Sequence, residues 1–301
     1  MTSAPQWESD GRDWPNRAHS RFIEAGGLRW HVQIMGEGPA LLLLHGTGAA
    51  THSWRALAPL LAEQFTVIAP DLAGHGFTSG RQRGGQSLPA TARGVTALLE
   101  ALDTSPAMIV GHSAGAAIAV RMALDGAVDV PIIALNAALL PFPGLAAKLF
   151  PAMAKMLFVN PLVPRIFAGV ARRSGEVEQF IVRSTGSHID AEGLRCYAAL
   201  LGRSGHVGGA LAMMASWDLE TLKKRLPQID VPMLLVHGSA DTAIPASAMG
   251  EAAALIPDAK TEMLDGLGHL AHEERPDLAV ALIERFAADH AIGDARIDEG
   301  T

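Results

Sequence analysis

Ala107-Met108-Ile109-Val110-Gly111-His112-Ser113-Ala114-Gly115 decides how this chain folds, because a short apolar run stops at Gly-x-Ser-x-Gly and continues as an Ala-rich helix to about Asp125. A strand that turns directly into a helix brings two backbones close together, so the flanking positions Gly111 and Gly115 must be small. The turn forces its central residue into a strained conformation and lifts the Ser113 hydroxyl above the strand end, as in a nucleophile elbow. A Gly-rich connection with an incidental Ser fits the same five residues, so the surrounding chain has to decide.

Working outward, Ala40-Leu41-Leu42-Leu43-Leu44 is apolar at every position, which suits a central strand covered on both faces. It runs into His45-Gly46-Thr47-Gly48. Before it, Arg21 to Ala25 and Leu28 to Gln33 flank Gly26-Gly27 as a β-hairpin. After it, Thr51 to Gln64 has helical spacing, Phe65 to Asp71 reads as a strand, and Ser87 is placed to cap a helix reaching Leu102. Pro131 to Ala137 reads as a sixth strand. The alternation stops near Leu139 and resumes with Val231 to Gly238, a helix over Ala246 to Leu255, the strand Thr261 to Leu264 and a helix from Pro276 to about His290. This pattern predicts an α/β chain with a mostly parallel, doubly wound sheet, an N-terminal hairpin and right-handed crossovers. Residues 1–138 and 228–301 would form the core, and 139–227 a helical cap inserted after the sixth strand.

With 301 residues, 49% of them hydrophobic and 18% charged, the chain can bury a large core. A net charge of −7 argues against a nucleic-acid partner. The one cysteine, Cys196, excludes an internal disulfide and a multi-Cys zinc site, and reads as a small packing residue. Met1 to Asp10 has neither a basic start nor an apolar run, which leads us to expect a cytoplasmic protein. The charge-free run Val130 to Ala147 is broken by Pro131, Asn136, Pro141 and Pro143, so it reads as a buried strand and loop rather than a membrane span.

A serine hydroxyl is a weak nucleophile and needs a base that is itself oriented by a carboxylate. His269, in Gly266-Leu267-Gly268-His269 just beyond the last strand, is the candidate base. Two strand ends are positioned to supply the acid. One offers Asn136, which carries no charge, and the other offers Asp241 in Gly238-Ser239-Ala240-Asp241. Asp241 is therefore the choice, although an Asx turn alone would also explain it. Backbone N–H groups of Thr47 and Ala114 are the candidate oxyanion donors, with Gly46 and Gly48 permitting close approach. Gly46-Thr47-Gly48 lacks the spacing of a phosphate-binding loop.

Taken together, His45-Gly46, Asp71-Leu72-Ala73-Gly74-His75-Gly76, Gly111-His112-Ser113-Ala114-Gly115, Gly238-Ser239-Ala240-Asp241 and Gly268-His269 resemble the α/β-hydrolase fold family, in its order and over nearly the whole chain. The resemblance implies a cofactor-free site under a mobile cap, with Ser113 as nucleophile, His269 as base and Asp241 as acid. Ser rather than Asp at position 113 disfavours the dehalogenase and epoxide-hydrolase branches. Asp13-Trp14-Pro15-Asn16, Arg29 to Gln33, Leu44 to Arg55 and Gly268 to Glu274 are further similar to the BchO group. Those α/β-hydrolases are associated with bacteriochlorophyll synthesis and named as magnesium-chelatase accessory proteins.

Three functional expectations follow. The first is a serine hydrolase acting on an ester, C–C or amide bond of a small hydrophobic substrate, with Gly46, His112, Phe142, Met153, Leu157, Trp217 and Leu270 as candidate substrate contacts. The second is a porphyrin-binding accessory of magnesium chelatase that uses the fold without its chemistry. An apolar cap suits a flat tetrapyrrole, which gains roughly 25 cal/mol per Å² of apolar surface removed from water. His31, His52, His75, His112, His188, His206 and His272 raise axial coordination, against a hydrogen-bonded structural role for each. The third is a membrane-surface protein anchored through Pro141 to Ala171.

Overall fold

The computed structural model describes residues 3–141, 160 and 162–293. Its strands are β1 (Ser20–Ala25), β2 (Leu28–Met35), β3 (Ala40–Leu44), β4 (Thr66–Pro70), β5 (Ser79–Gly80), β6 (Met108–His112), β7 (Ile132–Leu135), β8 (Met233–Gly238) and β9 (Ala259–Leu264). They form one sheet in the order β1-β2-β4-β3-β6-β7-β8-β9, with β5 on β2. β1 and β2 are the expected antiparallel hairpin, Ile23 opposite Trp30. β2 lies antiparallel to β4, and the neighbours from β4 across to β9 are all parallel.

The described helices are α1 (Trp7–Asp10), α2 (Leu57–Leu61), α3 (Leu88–Ala101), α4 (Ala114–Leu124), α5 (Val163–Ala171), α6 (Glu176–Thr185), α7 (Ala191–Leu201), α8 (Ser204–Ser216), α9 (Leu219–Arg225), α10 (Ala246–Leu255), α11 (Ala271–Glu274) and α12 (Pro276–Asp289). Because side chains alternate along a strand, the unbroken leucines of β3 serve both faces. Leu42 and Leu44 join Ile109, Leu235 and the α3–α4 residues Leu98 and Ile118. Leu41 and Leu43 join Val110 and Val236 with Leu61, Ile283 and Phe286 on the other side. The helices between β7 and β8 are not an independent layer, since Met213, Leu222 and Leu226 bury in the same cluster as the sheet.

The structure departs from the sequence reading at three places. The helix expected over Thr51 to Gln64 is a 3-10 turn, Thr51–Trp54, followed by the short α2. The Asp71 carboxylate accepts the Thr51 N–H at 2.7 Å, so this buried segment folds around a charge instead of winding continuously. Ser87 occupies the N-cap position of α3 without a side-chain cap, because its hydroxyl donates to the Gly84 carbonyl at 3.0 Å. α1 was not expected. Trp7 packs there against Phe22 and Phe77, while Asp10 pairs with Arg203 of the helical insertion.

The elbow has the close packing that its glycines require. A Cβ on Gly115 would lie 1.9 Å from the Leu44 carbonyl oxygen, and one on Gly111 would lie 2.5 Å from Ala116 N. Gly115→Ala should therefore lose at least about 2 kcal/mol of stability by overpacking. Gly250→Ala, where a Cβ meets nothing within 4 Å on α10, should instead gain roughly 0.5–1 kcal/mol. Urea unfolding of both variants checks the opposite signs.

Candidate active site

The parallel strands β3, β6, β7, β8 and β9 deliver their following loops to one edge of the sheet, where open α/β sheets hold their ligands. Ser113 begins that edge. Its backbone has φ 50° and ψ −111°, a region that non-glycine residues rarely occupy and that costs on the order of 1–3 kcal/mol. The conformation is imposed by the flanking contacts of the elbow and by the Ser113 N–H, which donates to Leu135 O at 2.9 Å.

Asp241 and His269 come together as the sequence reading expected. His269 Nδ1 donates to Asp241 Oδ2 at 2.7 Å, and the carboxylate is fully buried. The turn reading of Asp241 holds as well, because Oδ1 accepts the N–H groups of Ala243 and Ile244 at 2.7 and 2.9 Å. Burial alone would raise the Asp241 carboxyl. The hydrogen bond and charge of His269, aided by Ile244 N–H and Asn136, outweigh it and hold the group below its ordinary value. Asn136, set aside as an acid because it is neutral, sits at φ 46° and donates Nδ2 to the same Oδ2 at 2.8 Å. A polar residue ending an apolar strand was its signal.

The imidazole is carried to the elbow by His112, whose Nε2 donates to the His269 carbonyl at 2.9 Å and whose ring lies 4.8 Å from that of His269. No hydrogen bond joins the Ser113 hydroxyl to His269 Nε2; the ring's bond to Asp241 is made through Nδ1. Gly46 reaches the elbow from β3, since a Cβ there would be 3.2 Å from Ser113 Cβ and 2.8 Å from His112 Nδ1. Among the described residues neither Thr47 N–H nor Ala114 N–H has an acceptor, leaving both donors free. Thr47 Oγ1 donates to the Met213 sulfur at 3.4 Å, so α8 covers this loop, a contact without a signal in the sequence.

The histidine loop is tied to the helical insertion. The Thr185 carbonyl accepts His269 N–H at 2.8 Å, Ser187 Oγ accepts Leu270 N–H at 2.8 Å, and the Glu274 carboxylate bridges Gly268 N–H and His188 N–H. Behind it, the buried Glu273 accepts from Ser53, Tyr197 and Arg55, and Arg55 reaches Asp190 at the start of α7. Burial raises the Glu273 carboxyl, with Arg55 and the two hydroxyls acting against it.

Of the candidate substrate contacts, Leu270 is buried with Ala49, Ile181 and Tyr197 between loop and insertion. Trp217 donates its indole N–H to Gln86 O at 3.0 Å and packs on the sheet-side core. Phe142, Met153 and Leu157 lie outside the described residues. Cys196 is buried as a packing residue, its thiol pushed up to about 12 by burial. Among the described residues no three His, Cys, Asp or Glu side chains are grouped to hold a metal ion. His31 bonds Asp71 and Ser20, His75 bonds Ala73 O, His206 bridges Gly76 and Gly48, and His272 bonds Ser53. His52 departs from the expected hydrogen-bonded role: both its ring nitrogens are buried without partners, between Trp14 and Tyr197.

A sheet of this order with a Gly-x-Ser-x-Gly turn and an Asp–His pair at the same edge defines a class, and the chain belongs to the alpha/beta hydrolase fold family, whose model matches residues 39–276. Among its relatives is the "Magnesium-chelatase 30 kDa subunit" of Rhodobacter capsulatus, 41% identical over 272 residues, covering 88% of this chain and 93% of that one. The pimeloyl-[acyl-carrier protein] methyl ester esterase of Xanthomonas oryzae pv. oryzae is 29% identical over 86% of this chain and 98% of its own. In fold, the chain is similar to a thermophilic esterase from Thermogutta terrifontis, with a TM-score of 0.73 at 21% identity over 90% of this chain and 98% of the other.

Seven histidines, His45, His52, His75, His112, His206, His237 and His272, have lowered pKa values because burial disfavours the cation; His206 falls to about 4 and His272 to about 3. The unfolded chain binds protons as pH drops through about 6.5 while the folded chain does not, so stability present above that pH is lost below it. The loss stops only when pH passes the folded values. At up to about 1.4 kcal/mol per histidine per pH unit, the sum soon rivals a total stability of roughly 5–15 kcal/mol. Circular dichroism should show cooperative acid unfolding near about pH 5 with uptake of roughly four or more protons. A midpoint below about pH 3.5 with uptake of one proton contradicts this assignment.

Proposed function

We propose that the protein is a serine hydrolase that cleaves an ester, or a related amide or C–C bond, of a small hydrophobic substrate through an acyl-enzyme at Ser113. The observation that carries the reading is the buried Asp241–His269 hydrogen bond of 2.7 Å, held against the elbow on which Ser113 has a strained φ of 50°. In this mechanism His269 Nε2 takes the hydroxyl proton as Ser113 Oγ attacks the carbonyl carbon. Asp241, anchored by Asn136 and the Ala243 and Ile244 amides, keeps the Nδ1–H tautomer and stabilises the imidazolium. The free N–H groups of Thr47 and Ala114 receive the oxyanion, a contribution worth about a hundredfold to a thousandfold per donor. His269 then protonates the leaving group and activates a water that releases the acyl group. The helices between β7 and β8 act as a cap, with Met213 over the Thr47 loop and Ile181 and Tyr197 against Leu270 of the histidine loop.

The name of the Rhodobacter capsulatus relative supports a setting in bacteriochlorophyll or magnesium-porphyrin synthesis, with magnesium chelatase as a partner and a tetrapyrrole as a candidate substrate. It equally favours a second reading, in which the fold binds a porphyrin for magnesium chelatase without chemistry. Ser113→Ala separates the two. On a chromogenic acyl ester the variant should lose at least about 10⁴-fold in kcat/KM with an unchanged melting curve, and Asp241→Asn should fall to a similar extent. A fluorophosphonate should label the wild-type chain at Ser113. Full turnover by Ser113→Ala, or absence of labelling, would remove the hydrolase reading. Complementation of a deletion strain by Ser113→Ala would favour the accessory.

A further inference from the structure

We infer that α5 and α6 form a docking face for an anionic lipid surface, independent of the chemistry at Ser113. Leu162, Ile166 and Val170 are spaced by four residues, so they share one face of α5, and their exposures are 56%, 64% and 37%. Phe180 of α6 is 41% exposed and packs edge-on against Phe167 of α5 at 5.3 Å, which continues the apolar strip across both helices. Between them opens a groove of about 300 Å³ whose apolar wall includes Phe167, Val170, Phe180 and Leu201 and whose polar side carries both Glu176 and Arg183. Other exposed large apolar side chains, Leu60, Met263 and Leu278, stand singly on separate elements, whereas these four adjoin on α5 and α6.

Charge identifies the occupant. The protein carries a net −7, yet from Val130 to Gly175 its sequence contains no Asp or Glu, and Arg165, Arg172 and Arg173 accompany the exposed strip. Arg183 adds a fourth cation from α6. Arg172 is engaged with Gly202 O, whereas Arg165, Arg173 and Arg183 make no ion pair among the described residues. The acids on these helices, Glu176 and Glu178, sit in the first turn of α6, where the helix N-terminus attracts them. Apolar side chains flanked by arginines fit an interfacial helix, which buries its apolar face about 5–10 Å deep while the cations meet lipid phosphates. α5 has 9 residues, and no described helix is long and apolar enough to cross a membrane, so the face lies on the bilayer instead of spanning it.

The full chain should float with vesicles of phosphatidylglycerol and phosphatidylcholine in equal parts and not with phosphatidylcholine alone, and high salt should weaken the association. The double substitution Ile166→Asp with Phe180→Asp should reduce binding by roughly tenfold or more, as should Arg165→Glu with Arg173→Glu. These positions are on the surface, and ester hydrolysis with an unchanged melting curve serves as the control for folding. Because Cys196 is buried, an environment-sensitive dye on Ile166→Cys reports that position alone, and its emission should shift to the blue with anionic vesicles. Failure of the wild-type chain to float, undiminished binding by both double variants, or an unshifted dye would overturn the proposal. Binding of an acidic protein at this face, with no flotation, would assign the surface to a protein partner and equally overturn it.

Discussion

The carbonyl of Leu44 lies where a side chain on residue 115 would have to go. That contact lets α4 start directly against the end of β3, and much of the site geometry follows from it. β6 must stop at His112, Ser113 must take a left-handed φ, and α4 must start at Ala114 with its first amide unbonded. A single extra methyl group would push helix and strand apart, separating the Ser113 elbow from Gly46 and Thr47. The strain stored in Ser113 is held by close backbone packing on both sides, so it does not depend on any long side chain.

A second constraint is polar. Asp71 collects His31, the Thr51 amide and the Phe77 amide, and Glu273 collects Ser53, Arg55 and Tyr197. Removing one partner of such a buried cluster typically costs about 3–5 kcal/mol, because the remaining charge stays behind in a medium that solvates it poorly. The two clusters pin the loops after β3 and β9. Those loops bear Thr47, one of the two oxyanion donors, and the imidazole of the proposed mechanism, so groups that never meet a substrate set the positions of those that do. Asn136 acts in the same way on Asp241.

Sheet and site were legible in the chain to different degrees. The all-apolar β3, the hairpin around Gly26-Gly27 and the elbow could be read because strand period, turn residues and close approach each leave a local mark. Asp241 was reached by elimination between two strand ends, which was sound for charge but missed that the rejected Asn136 hydrogen-bonds the chosen acid. The break after Trp54 was hidden because helical spacing is a short-range signal and the carboxylate of Asp71 arrives from 20 residues away. The links from Thr185, Ser187 and Glu274 to the histidine loop had no signature at all. Backbone carbonyls and amides carry them, and any sequence has those.

These links also divide the insertion by function. Thr185 to Ser187 supply hydrogen bonds to the loop that bears His269, whereas α5 is joined to the rest of the described chain mainly through apolar packing. A chimera that exchanged the whole stretch between β7 and β8 for that of another hydrolase would discard the support of its own imidazole along with the proposed docking face. The natural splice point is therefore ahead of Thr185. The chain that follows belongs, in mechanical terms, to the sheet it covers.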